Sequence, residues 1–261
     1  MPIINPQCSS LHEAIEKALD ISCKWGDFAN DPTDDIWYRG AKDSFDLLPS
    51  AYWKEVDDEY SSLITFRQLV SNYMDTAGYD DWDYYYLARH HGLPTRLLDW
   101  SEGIMLALFF AFDGWSGDTT PCVWMIRPHE LNAMHYGDAE IICPPGKFSA
   151  PWLPNKPRKG FTYEGKGFEN SKPIAIYPRR ANPRIHGQQG IFTVHGYDRV
   201  PINHILEAQS NQEELIARID LVNFDPSTVR RQLMYLGLRQ SFVYPDADHL
   251  ARDVGFLYGW E

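Results

Sequence analysis

Residues 86–112 read YLARHHGLPTRLLDWSEGIMLALFFAF. Two histidines, two arginines and an aspartate stand there immediately ahead of the most apolar run in the chain. Burying an unpartnered guanidinium or carboxylate costs about 2 to 5 kcal/mol, so such groups either stay solvated or complete one another in a cleft. Charge this dense beside a buried segment points to a cleft. The same stretch sets local structure. Residues 84–91 read as a helix closed by Gly92 in the left-handed capping position. Pro94 prevents a direct continuation, and 101–112 reads as a second helix, apolar all round and therefore buried.

Upstream, Leu11, Ile15, Ala18, Leu19 and Cys23 recur every three or four positions. Ser10 and Glu13 have capping-box spacing, so a helix is expected over 11–25. Residues 36–38 read as a short strand with Arg39 at its end, and Gly40 permits a sharp turn or a close backbone approach. A helix is expected over 59–74. Downstream, 121–127 reads as a strand and 128–134 as a turn and short helix. Strands follow at 174–177 and 190–195, a helix at 212–219, a strand at 219–224 and a helix at 228–238. Prolines at 144, 145, 151, 154 and 157 break the pattern over 141–171, which reads as a Pro/Gly-rich insert or flap. Helices come early and several strands late, with no βαβ repeat, internal repeat or linker. The expectation is a single α+β domain over 1–261, its N-terminal helices packed on a mixed or antiparallel sheet contributed largely by the C-terminal half.

With 36 acidic against 24 basic side chains the formal net charge is -12, which opposes non-specific binding to nucleic acid or an anionic membrane, although a local basic cleft can still focus an anion. Cys8, Cys23, Cys122 and Cys143 are far apart, with no CxxC pair and no histidine at ligand spacing, so no metal is expected and the thiols read as free in a reducing compartment. The first twenty residues lack a basic stretch followed by an apolar run, and 104–112 falls about ten residues short of a membrane span. A cytoplasmic protein without a membrane partner is expected.

Three elements carry candidate chemistry. Arg39, beside a glycine, is placed to grip a phosphate or carboxylate with its planar fork; pairing with Asp43 or Asp46 is the structural alternative. Asp99 can hold Arg96 in a fixed rotamer, leaving Arg96 or His91 to face a ligand beside the Trp100 ring, or Arg96 and Asp99 form a structural pair under the buried helix. Gln188 and Gln189, in RIHGQQGIFTVHG from Arg184 to Gly196, put amides at the mouth of a strand, where they bond a ribose or a base edge or tie down a loop. His195, further along, reads as a structural histidine.

WYRG at 37–40, RHHGLPTRLLDWSEGIMLALFFAF at 89–112, RIHGQQGIFTV at 184–194 and LGLRQSFVYPDADHLARDV at 236–254 resemble the FRG domain family across nearly the whole chain. The family's Phe-Arg-Gly motif is here Tyr38-Arg39-Gly40. WYRG is also similar to the aromatic-arginine-glycine motif of arginine-type ADP-ribosyltransferases, in which the arginine holds NAD and a late glutamate stabilises the cationic transition state. That resemblance implies NAD as substrate, with Arg39 as the arginine that holds it; taken with the three elements above, the expected catalytic set is Arg39, His91 and Gln189, and the expected binding set is Tyr38, Arg39, Gly40, Arg96, Trp100 and Gln188. It further implies transfer of ADP-ribose to a macromolecular acceptor, as in a toxin or phage-defence effector. The chain has no aromatic-Ser-Thr-Ser strand and no Glu-x-Glu ahead of a strand, and a glutamine at 188–189 brings no negative charge to an oxocarbenium ion. Two other classes stay open: a non-catalytic domain that senses a nucleotide or phosphorylated ligand, and a metal-dependent nuclease or hydrolase built on His91 and Asp99.

Overall fold

A computed structural model describes residues 3–26, 35–144, 172–178 and 190–260. Within them the fold is α+β. The elements in order are β1 (Gln7–Cys8), α1 (Leu11–Trp25), β2 (Trp37–Ala41), α2 (Ser50–Trp53), α3 (Glu59–Val70), α4 (Asp81–His90), β3 (Leu97–Ser101), α5 (Ile104–Phe112), β4 (Cys122–Ile126) and α6 (Pro128–Tyr136). Then come β5 (Ile174–Ile176), β6 (Gly190–Val194), α7 (Ile202–Glu207), β7 (Ile216–Leu221), α8 (Pro226–Tyr235), α9 (Gln240–Val243) and α10 (Ala247–Leu257). Most of the expected flap, residues 145–171, lies outside the described residues, as do Gln188 and Gln189.

Local chemistry accounts for the helix boundaries. Ser10 Oγ accepts from the Glu13 N–H at 3.1 Å, while the Glu13 carboxylate accepts from the Ser9 N–H at 2.8 Å, so orphan donors at the start of α1 are satisfied. Asp80 and Asp83 form a capping box at α4, and Gly92, at φ +83°, closes the turn after it. Residues 97–101 form β3, so Ser101, expected to open the second helix, ends a strand, and the helix begins at Ile104. Pro94 breaks the helix, and LLDWS then alternates, with Leu97, Asp99 and Ser101 on one face and Leu98 and Trp100 on the other. Residues 216–219 likewise belong to β7, after a 3-10 turn at Gln212–Glu214.

The seven strands lie in the order β1-β7-β4-β2-β3-β6-β5. Only β1 and β7 run parallel; the other neighbours are antiparallel, giving a mixed sheet. One face carries Trp37, Trp100, Trp124, Ile191 and Ile216 against Leu131 of α6 and Leu206 of α7. The other face carries two separate cores. α1, α5 and α8 cover Tyr38, Val123, Met125 and Ile219, whereas α3 and α4 cover Leu97, Phe192, Val194 and Ile174. The seam between these two cores falls where β2 meets β3.

β4 pairs with all five residues of β2, so Arg39 lies at the centre of that strand, opposite Trp124, and not at its end. Gly40 serves a close backbone approach. A Cβ there would lie 1.8 Å from the Ala107 carbonyl oxygen and 2.5 Å from the Ala111 nitrogen, so the α5 backbone, and not a ligand, fills the room this glycine leaves.

Candidate functional site

The β2–β3 pairing is confined to Tyr38 opposite Ser101. Beyond it the strands part, and Arg39 Nη1 donates to the Asp99 carbonyl at 2.5 Å while lying 3.9 Å from its carboxylate. Arg89, near the end of α4, takes the same carboxylate from the other side. Its Nε donates to Oδ2 at 3.1 Å, its Nη2 donates to Oδ2 as well, and its Nη1 reaches Ser50 Oγ at 3.1 Å. Two guanidiniums therefore share one carboxylate, leaving one net positive charge. The group is half-buried: the side chains of Arg39, Arg89 and Asp99 are 26%, 21% and 44% exposed. Burial acts to raise the Asp99 carboxyl, but Arg89 and then Arg39 outweigh it and hold it below its usual value. Burial lowers the Arg39 guanidinium from its ordinary value against the pull of Asp99.

A second charged group is closed. Arg96 Nε donates to Glu59 Oε2 at 2.7 Å, the Arg96 N–H reaches Glu59 Oε1 at 2.9 Å, and Nη1 donates to the His195 carbonyl at 3.1 Å. The Tyr85 hydroxyl donates to Glu59 and accepts from the Arg96 N–H, and both charged side chains are less than one-tenth exposed. Burial opposes the charged form of Arg96, yet Glu59 prevails and its affinity for the proton is raised. The expected Arg96–Asp99 pair does not form. Three residues apart on an extended chain, the two side chains leave on opposite sides, and each finds its partner on a helix. His195 lies beside this network, fully buried, with its ring edge toward Tyr52 at 5.9 Å. Neither ring nitrogen has a hydrogen-bond partner among the described residues. Burial, reinforced by Arg96, pushes its imidazole down to about 3.

Of the residues expected at the site, Arg39 and Asp99 meet. The rings expected to wall a ligand do not join them: Trp100 is buried with its indole N–H on Thr193 Oγ1 at 3.1 Å, and the Tyr38 hydroxyl lies 3.0 Å from Ser22 Oγ in the α1 core. β2 and β3 alternate, so their large apolar rings go into the layers that the sheet must bury. Arg96 belongs to the closed network. His91 lines a separate apolar groove beside α3, with its ring 6.4 Å from Phe66. Gln188 and Gln189 fall outside the described residues. Arg89, Ser50 and Glu59 were not singled out in the sequence. Arg89 stands in the quoted stretch one position before the two histidines, but only the angle of α4 across the sheet turns it onto Asp99. Among the described residues no three His, Cys, Asp or Glu side chains converge as a metal ion needs, and no helix is long and apolar enough to cross a membrane.

Residues 34–118, about a third of the chain, match the family model described as the FRG domain. The match takes in β2, α2 to α5 and β3, and with them Arg39, Ser50, Arg89 and Asp99; the stretches at 184–194 and 236–254 lie beyond it. No curated protein and no solved structure matched the chain. Over residues 34–118 the chain is thus similar to the FRG domain, and Tyr38-Arg39-Gly40 lies within that match.

Proposed function

We propose that this chain is a recognition module for a phosphorylated nucleotide, received by Arg39 and Arg89 at the seam of the sheet. One observation carries the reading: two half-buried guanidiniums share a single carboxylate, and the Nε and Nη2 of Arg39 have no hydrogen-bond partner among the described residues. A site with surplus positive charge and unused planar donors suits an anionic oxygen, and this local charge acts against a global charge of -12. Transfer of ADP-ribose asks for more, namely a carboxylate available to face a developing oxocarbenium ion. Asp99 is neutralised by two arginines, and Glu59 is held by Arg96 and Tyr85. Recognition needs no such group.

Calorimetry with NAD, ADP-ribose and ATP tests the reading. Binding of at least one of them is expected with a Kd between about 1 μM and 1 mM, weakened tenfold or more in Arg39→Ala with the melting midpoint nearly unchanged. No release of nicotinamide from NAD is expected. Absence of heat with every nucleotide at millimolar concentration defeats the proposal, and nicotinamide release that disappears in Arg39→Ala replaces it with the transferase.

A further inference from the structure

The donors of the two seam arginines are unequally committed. Arg89 donates within the protein from all three nitrogens, Nε and Nη2 to the Asp99 carboxylate and Nη1 to Ser50 Oγ at 3.1 Å. Ser50 is buried and held in turn: its hydroxyl donates to the Thr95 carbonyl at 3.5 Å and accepts from the Thr95 N–H at 3.3 Å. One proton given and two accepted saturate a hydroxyl, so Arg89 is fixed on Asp99. Arg39 differs. It uses Nη1 on the Asp99 carbonyl, and its Nε and Nη2 have no hydrogen-bond partner among the described residues.

Nε and Nη2 lie along one edge of the guanidinium plane, and their two parallel N–H bonds take two oxygens of one group. A phosphate esterified on both sides has two free oxygens and one negative charge, and it fills this edge. A terminal phosphate has three free oxygens and, above its second pKa near 6, close to two charges. Its third oxygen finds no donor on that edge.

Charge points the same way. Arg39, Arg89 and Asp99 sum to one positive charge, which one negative charge on a ligand balances. A second negative charge leaves the half-buried seam net negative in a chain that already carries -12. Attraction to the site grows in proportion to the ligand's charge, whereas the cost of taking that charge out of water grows with its square, so a site of unit charge favours a singly charged group. We infer that the seam selects an esterified, singly charged phosphate within a nucleotide over a terminal phosphate, and that Asp99 sets this preference, its carboxylate cancelling the charge that a dianion needs. This selectivity rests on the nucleotide reading above.

Calorimetry of the whole chain at about pH 8 compares three probes that share one base and differ at the second phosphate: ADP, its β-methyl ester and ADP-ribose. Both esters are expected to bind at least tenfold tighter than ADP. Asp99→Asn keeps an oxygen for Arg89 and removes the negative charge. It raises the affinity for ADP about tenfold more than that for the esters, because each ligand charge beside a partly screened site charge is worth about a factor of ten, and the preference disappears. Asp99→Glu keeps the charge and the preference. Should Asp99→Asn lose its cooperative melt, the rankings in the natural chain and in Asp99→Glu decide. Equal or tighter binding of ADP by the natural chain overturns the inference. So does a methyl ester no better than ADP, which assigns the gain to contacts with the ribose, and so does a folded Asp99→Asn that keeps the natural ranking. In each of these cases nucleotides still bind and the recognition module stands. Binding of ATP with none of the three probes likewise overturns the selectivity alone, whereas absence of heat with every nucleotide defeats both.

Discussion

Three charged or titratable residues separate what the seam and the closed network each contribute. Asp99 is 44% exposed, so its pairs with Arg39 and Arg89 are screened, and Asp99→Ala is expected to lower stability by only about 1 kcal/mol. Glu59→Ala instead strands the Arg96 guanidinium and the Tyr85 hydroxyl in a dry interior, with an expected loss of about 3 to 5 kcal/mol. Urea denaturation midpoints of the two variants check that order. His195 sets a pH dependence of definite sign. Its folded-state value of about 3 lies below the value near 6.5 of an unfolded histidine, so between these limits the unfolded chain holds a proton that the folded chain refuses. Stability is therefore full above about pH 6.5 and falls as pH drops, by about 2 kcal/mol between pH 7 and 5. His195→Leu should flatten that slope in melting curves taken across the same range. An unchanged slope would show that the ring finds a proton acceptor on folding.

At the scale of elements, the glycine of the Tyr38-Arg39-Gly40 motif and the helix α5 form one unit. A Cβ at position 40 would meet the Ala107 carbonyl oxygen at 1.8 Å, and the obstruction is backbone that no rotamer change relieves. Gly40→Ala is expected to cost about 3 kcal/mol or more, read from the melting midpoint, because α5 must lift from β2 and the core of Tyr38, Leu108 and Met125 opens with it. The apolarity of IMLALFFAF announced a buried helix, and that helix spans Ile104–Phe112. Gly40 permitted several readings as a residue; the crossing helix selects among them. β3 shows the converse. Its alternation is only five residues long and sits between Pro94 and an apolar run, so its period was hidden until five consecutive pairs with β6 made it evident.

Across the whole molecule, the matched segment 34–118 is not a self-sufficient fold. It contains β2 and β3, which share one paired position, whereas β4 and β6 on either side supply the ladders that hold them. Two strands joined so weakly do not bury a stable face, so the isolated segment is expected to give a disordered circular-dichroism spectrum and no cooperative melt. A folded fragment would show that the helices alone sustain it. Several features were legible in the amino-acid order alone: the α+β class, helix α1 and its cap, the close of α4 at Gly92 and the buried α5. Each rests on contacts within a few positions, where periodicity, capping and backbone sterics act directly. Only the tertiary structure decided that Arg96 belongs with Glu59 and Asp99 with Arg39 and Arg89, that Trp100 and Tyr38 turn into the cores, and that His91 borders a different surface. Those outcomes depend on which strands become neighbours and on the angle at which α4 and α5 cross them, and side chains brought together from different elements, 10 to 93 residues apart, leave no periodic trace in the order of the chain.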